Sequence, residues 1–236
     1  SILDAGTKYQ IGGKPYHRVE EHLITVKALI SRSFATGGGS LVQLVDIKGF
    51  FDAENLRGVM GSLYAAKVEM KMYRLWFKLN SQTVISVVTP SGETESGDAG
   101  ELCGQGSAGA ALASQLDIDL GISCYFQDSI DEASYGAVRI LPQSFQDDIS
   151  RVAPTLESGR AGNIKIYSML SERLLRCHPK KTCFVLMGTN KYKEKVREEV
   201  KSAPLKFGDF SMLEKEQDVY LGDVLHTDGL SASVHS

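Results

Sequence analysis

Three aspartates are the residues best equipped for chemistry. Asp147 and Asp148 stand side by side in Ser144-Phe145-Gln146-Asp147-Asp148-Ile149-Ser150. Ile140-Leu141 upstream and Ile149 with Val152 downstream predict a tight β-hairpin with both carboxylates at its turn. An Asp pair in a turn is, taken alone, most often a solvated loop tip. Asp46, however, ends the nearly continuous apolar run Leu41-Val42-Gln43-Leu44-Val45, which reads as a central strand buried on both faces. A carboxylate there needs a partner against desolvation: a cation is one candidate, and capping the next helix is the other role open to it. If strand and hairpin are neighbours in one sheet, the carboxylates converge on one edge. Oxygen ligands without Cys or His suit Mg²⁺, with Mn²⁺ as an alternative, rather than a zinc-type ion. A pair of such ions stabilises the attacking and leaving oxygens of phosphoryl transfer, so the set supports phosphoryl or nucleotidyl transfer.

The elements that must position these groups can be read from periodicity. A helix is expected from about Val19 to Phe34, with Leu23, Val26, Ile30 and Phe34 at helical spacing and Glu20-Glu21 near its start. Thr36-Gly37-Gly38-Gly39-Ser40 reads as a flexible connection. Gly49-Phe50-Phe51-Asp52 leads into a helix bearing Leu56, Val59, Met60 and Leu63 on one face, for which Asp52 is the expected cap. A helix over Glu69–Asn80 has Met72, Tyr73, Trp76 and Phe77 as its expected buried stripe. Residues 83–89 read as one strand and Pro90-Ser91-Gly92 as its turn.

Gly100 to Ser107 opens a helix of small residues, and Gly104-Gln105-Gly106 could cradle phosphate, although the lysine of a Walker motif is missing. Helices are expected over 158–176 and 191–201, a strand over Cys183–Met187, and a hairpin-like strand over Asp218–Leu225. The irregular alternation of helices and strands predicts an α+β fold with a mainly antiparallel sheet.

The 236 residues, 42% hydrophobic and 23% charged, suit one large globular domain or two small ones. No apolar run has the length of a membrane span. A net charge of −3 argues against bulk electrostatic grip on duplex nucleic acid, but bound divalent ions would offset carboxylates locally. The four cysteines form no close pair, and Cys177-His178 with Cys183 fits no common zinc spacing. Reduced thiols in an intracellular protein, nuclear or cytoplasmic, are expected. The chain starts inside sequence that already reads as folded, which implies an excerpt of a longer polyprotein.

Five stretches in order give a more specific expectation. Asp46-Ile47-Lys48-Gly49-Phe50-Phe51-Asp52 resembles motif A of reverse transcriptases, with a bulky gate before its second Asp. Gly104-Gln105-Gly106-Ser107 resembles their motif B, and Phe145-Gln146-Asp147-Asp148 their motif C, where Gln146 replaces a commoner Ala, Met or Val. His178-Pro179-Lys180-Lys181-Thr182 resembles motif D, its Lys-Thr matching non-LTR retrotransposon enzymes. Tyr220-Leu221-Gly222 resembles motif E, the primer grip. Tyr9 to Gly13 with Glu21-His22-Leu23 is similar to the stretch joining fingers to palm.

The resemblance implies a right-hand polymerase palm over residues 41–236, a partial fingers connection over 1–40 and no thumb. It implies an RNA-directed DNA polymerase that uses two Mg²⁺ ions, an RNA template, a DNA primer and dNTPs. Asp46, Asp147, Asp148 and the Ile47 carbonyl would ligate metal, and Phe51 would exclude the 2′-hydroxyl. Gln105, Gly106 and Ser107 would line template and nucleotide, and Lys181 would be the general acid toward pyrophosphate. The rivals are an RNA-dependent RNA polymerase palm, which would usually carry Gly-Asp-Asp and a polar residue at Phe51, and a catalytically silent, host-adopted nucleic-acid-binding remnant.

Overall fold

Leu41, Val42, Leu44 and Val45 are buried because the strand that carries them lies in the middle of a sheet. The computed structural model describes residues 19–36, 38–53, 55–81, 84–86, 88–94, 97–98, 110–129, 132–135 and 138–227. In chain order the first half forms α1 (Val19–Ala35), β1 (Gly39–Asp46), α2 (Phe50–Ala53), α3 (Leu56–Ala65) and α4 (Met70–Asn80). The short strands β2 (Val84–Ile85), β3 (Val88–Thr89), β4 (Gly92–Glu93) and β5 (Gly97–Asp98) precede α5 (Ala110–Phe126). Then come β6 (Ser134–Tyr135), β7 (Val138–Arg139), β8 (Gln143–Phe145), β9 (Asp148–Ala153), α6 (Leu156–Glu172), β10 (Cys183–Gly188) and α7 (Asn190–Ser202). The chain continues through β11 (Lys206–Phe207), β12 (Phe210–Ser211), β13 (Leu213–Glu214), β14 (Gln217–Tyr220) and β15 (Asp223–His226).

The main sheet has the order β13-β10-β1-β9-β8. Its pairs are antiparallel except β10 with β13, which gives the expected α+β architecture with a mainly antiparallel sheet. Alternate residues of each strand serve opposite faces. On one face Leu41, Val45, Ile149 and Phe184 pack against Ile118 and Ile122 of α5 and Ile166 and Met169 of α6. On the other, Val42, Leu44, Val152 and Val185 pack against Val26, Leu29 and Ile30 of α1 and Tyr220 and Leu225 of the β14–β15 hairpin. A third cluster joins Leu56, Val59, Met60 and Leu63 of α3 to Ala113 and Leu116 of α5.

The face turned to α6 also buries a polar network. Gln43 of β1 and Arg151 of β9 are cross-strand partners, and the Arg151 Nη1 donates to Gln43 Oε1 at 2.7 Å. Arg151 Nε donates to Glu132 Oε2 at 2.7 Å and its Nη2 to Ser158 Oγ at 2.8 Å. Gln43 Nε2 donates onward to Asn163 Oδ1 at 2.6 Å and to the Gly159 carbonyl at 3.1 Å. Every member is buried, so each must be hydrogen-bonded or be costly. Together they tie β1, β9 and α6 in one alignment.

Four expectations need correction. The cap of α3 is Asn55, which accepts from Arg57 N at 2.8 Å, while Asp52 falls within α2. The stripe on α4 is only partly buried. Tyr73 and Trp76 pack on the α3 cluster, whereas Met72 and Phe77 stand 48% and 45% exposed, because α4 rests on α3 with its remaining circumference open. Of the strand expected over 83–89, residues 83 and 87 lie outside the described residues, and the rest falls into two pieces: Val84–Ile85 pairs with β5 while Val88–Thr89 turns back at Pro90-Ser91 onto β4. Gly39 and Ser40 belong to β1 rather than to a loose linker. The Tyr192 ring occupies the space a Cβ on Gly39 would need, and a Cβ on Gly188 would stand 2.5 Å from the Gly39 Cα. These glycines are there for close packing.

Candidate active site

The register of β1 against β9 sets the geometry. Asp46 and Asp148 are direct cross-strand partners, and Asp148 in turn closes the β8–β9 hairpin opposite Phe145. Asp148 therefore begins β9, and the two-residue turn is Gln146-Asp147. Gln146 takes φ 55°, a left-handed value that a side chain adopts at some cost and that a primed hairpin turn demands. Asp147 is held from the other side, its carbonyl accepting from Ile47 N at 2.9 Å. His22 of α1 packs edge-on against Phe145, with ring centroids 6.3 Å apart, and so supports the hairpin.

One turn wraps the end of β1. His178 N donates to the Asp46 carbonyl at 2.9 Å, Thr182 Oγ1 lies 3.4 Å from Asp46 N, and Lys181 Nζ donates to Asp46 Oδ2 at 2.9 Å. Lys48 N completes the clamp by donating to the Arg176 carbonyl at 2.8 Å. The bridge between Ile47 and Cys177 thus leaves the Ile47 carbonyl out of its hydrogen bonds.

The electrostatics follow from this crowding. Burial, then repulsion from Asp147 and Asp46, pushes the Asp148 carboxyl up to about 6, with Lys181 opposing and Asp218 adding to the rise. The hydrogen bond to Asp46 and the charge of that carboxylate hold the Lys181 ammonium above its ordinary pKa. Asp46, Asp148 and Lys181 share a cleft of about 240 Å³ with Lys215, Asp218 and Tyr220. A larger cavity of about 600 Å³, lined by Tyr167, Leu170, Leu174, Arg176 and Phe210 among others, opens elsewhere and includes none of the three aspartates.

No protein-family model matches this sequence, and no curated protein matches it. Solved structures do. Apo telomerase from Candida tropicalis, truncated from its C-terminal domain, superposes with TM-score 0.62 at 10% identity, over 96% of this chain and 42% of that one. Apo telomerase from the same organism gives TM-score 0.63 at 11% identity, over 97% and 39%. The fold is reverse-transcriptase-like. This chain spans about two fifths of the telomerase chains it matches.

In this fold, the sheet brings Asp46 and Asp148 together with Lys181 at one end of β1. The stretch likened above to motif E forms the turn of the β14–β15 hairpin, where Leu221 and Gly222 take φ 52° and 83°, both positive as a type I′ turn requires. Tyr220 is buried in the core beneath the cleft. Phe51 is the second residue of α2, and its side chain falls outside the described residues. Gln105, Gly106 and Ser107 lie outside them too, just before α5.

Two cleft residues escaped the sequence reading, Lys215 and Asp218. No spacing rule marks them, because Lys215 reaches the cleft through the hydrogen bond of its backbone to β10, and Asp218 through the docking of the 217–226 hairpin on the sheet. Among the described residues no three His, Cys, Asp or Glu side chains close on a metal position. The donors nevertheless suit a hard cation: they are oxygens only, they repel one another, and the carboxylate of Asp46 is already held by a cation, the Lys181 ammonium.

Proposed function

We propose that the chain is the palm of an RNA-directed DNA polymerase, most like those of non-LTR retrotransposons, with residues 1–40 joining it to fingers. The observation that carries this reading is the pairing of Asp46 with Asp148 across β1 and β9, with Asp147 in the adjoining turn and Lys181 bound to Asp46. Asp46, Asp147, Asp148 and the Ile47 carbonyl would hold Mg²⁺, which when bound stabilises the attacking and leaving oxygens.

The reaction proposed joins the 3′-oxygen of a DNA primer to the α-phosphorus of a dNTP and breaks the bond to pyrophosphate, with an RNA strand as template. Lys181, like any lysine, carries its proton on Nζ at neutral pH, and its carboxylate partner holds that proton more firmly, so it stands in the form an acid needs to protonate the leaving pyrophosphate. It must leave Asp46 to do so, and its side chain is 64% exposed. Phe51, just past the end of β1, would crowd a 2′-hydroxyl and offer it no hydrogen-bond partner. Gln105, Gly106 and Ser107 would line template and nucleotide, and the turn at Leu221-Gly222 would hold the primer.

The deciding experiment is primer extension on poly(rA)/oligo(dT) by the full-length chain with Mg²⁺ or Mn²⁺, comparing dNTP with rNTP. Extension by dTTP and not by UTP is expected. Preferential use of UTP would make it an RNA polymerase, and no extension by either would leave a binding remnant.

A further inference from the structure

The carboxylate cleft has a second basic wall that the proposed chemistry does not use. Lys215 follows β13, and its backbone N donates to the Phe184 carbonyl at 2.9 Å, which fixes it beside β10. Its Nζ donates to Asp218 Oδ2 at 2.9 Å, and both residues line the cleft with Asp46 and Asp148. Asp218 does not depend on this lysine. The same Oδ2 accepts from the Cys183 thiol at 2.8 Å, and Oδ1 accepts from Val219 N at 3.0 Å. If Lys215 swung away, Asp218 would keep a hydrogen bond on each oxygen. The Lys215–Asp218 pair is part-exposed, a setting in which water and salt leave an ion pair little net strength. A phosphate, with its full negative charge and several acceptor oxygens, competes well for such an ammonium.

We propose, resting on the polymerase reading above, that Lys215 binds a backbone phosphate of the nucleic-acid strand whose end enters the carboxylate cleft, exchanging Asp218 for a phosphate oxygen. The strand is favoured over the triphosphate of a nucleotide because Lys215 belongs to the segment leading into the β14–β15 hairpin. Lys181, by contrast, is bound to Asp46 itself and is the lysine proposed above to serve the pyrophosphate. The exchange involves no covalent step. It explains why a cation stands in this wall although its carboxylate is satisfied without it.

The test is binding without nucleotide: the full-length chain with a fluorescent primer annealed to an RNA template, followed by anisotropy from 30 to 200 mM salt. Loss of one phosphate contact in Lys215→Gln should flatten the slope of log K against log salt by about 0.7–0.9 and weaken binding at 0.1 M salt by roughly 5- to 10-fold. In Lys215→Gln/Asp218→Asn, which leaves net charge as in the wild type, the same loss should persist. Recovery of wild-type affinity by the double variant would show that Lys215 merely neutralises Asp218, and would overturn the proposal. Unchanged strand binding with weakened dNTP binding would overturn it in favour of the nucleotide, and a wild-type chain that binds no strand would overturn it too. Melting temperatures of both variants confirm that folded protein is compared. Extension is measured separately, so Lys215-dependent binding without extension would defeat the polymerase reading and leave this one standing.

Discussion

At the scale of single residues, the site is a set of carboxylates that pay for being together. Asp46→Asn or Asp147→Asn should abolish divalent-ion-dependent extension by the full-length chain while the fold survives, since neutralising one of several crowded carboxylates relieves repulsion. Extension at the wild-type rate, or an unfolded variant by circular dichroism, would sink the assignment. Asp148 supports a second prediction. Its carboxyl rises from 3.8 to about 6 on folding, so between these values the folded chain binds the proton more tightly than the unfolded chain does. Its contribution to stability therefore falls as pH rises from about 4 to about 6, and stays low above. The full difference would be roughly 3 kcal/mol, and solvent around half-buried Asp148 reduces it to about 1–2 kcal/mol. Without divalent ions, Asp148→Asn should melt about 3–6 °C higher than wild type at pH 7. The advantage should vanish at pH 4, and an equal gain at both pH values would show that repulsion is not the cause.

At the scale of elements, two strands must hold one register. Side chains on a strand alternate between faces, so a slip of one residue between β1 and β9 would carry Asp46 or Asp148 to the wrong side of the sheet. The Gln43–Arg151–Glu132 network sits on the opposite face from the aspartates, three residues from each (Gln43 to Asp46, Arg151 to Asp148), and is aligned with α6. Arg151→Met should destabilise the chain by about 3–5 kcal/mol, because Glu132 would remain buried without its cation. Arg151→Met/Glu132→Met should recover most of that, since apolar groups of similar size replace the pair. Urea denaturation of both variants and of Glu132→Met gives the coupling; simple additivity would show that the buried pair is not a unit.

At the scale of the whole molecule, charge sets what the chain can hold. Its net charge is −3, and the carboxylates of the cleft add a local excess of negative charge that only ions or lysines offset. The 236 residues by themselves should bind primer–template more weakly than about 10⁻⁸ M at physiological salt, the range of dedicated specific binders. Titration with and without Mg²⁺ checks this. Tight binding in its absence would show that basic surface elsewhere on the chain, rather than ions in the cleft, governs association.

The sequence by itself determined the parts that depend on local pattern. The apolar run ending at Asp46, the hairpin carrying Asp147 and Asp148 and the entry of Lys181-Thr182 into β10 were all legible, because burial on both faces and turn chemistry leave marks on neighbouring residues, while residues 218–225 read only as a hairpin-like strand whose turn the structure places at Leu221-Gly222. So was the α+β class. Tertiary structure decided the rest. Asn55 rather than Asp52 caps α3 because of where the chain turns after α2, and α4 leaves Met72 and Phe77 open because α3 covers only part of it. Gly39 reads as loose linker chemistry, yet it stands against the Tyr192 ring and close to Gly188. The pairing of Asp46 with Asp148 joins residues about a hundred positions apart, Lys215 joins them by hydrogen bonding its backbone to β10, and Asp218 reaches them when the β14–β15 hairpin docks on the sheet. Contacts of that span are made by packing and register, which no local pattern of residues records.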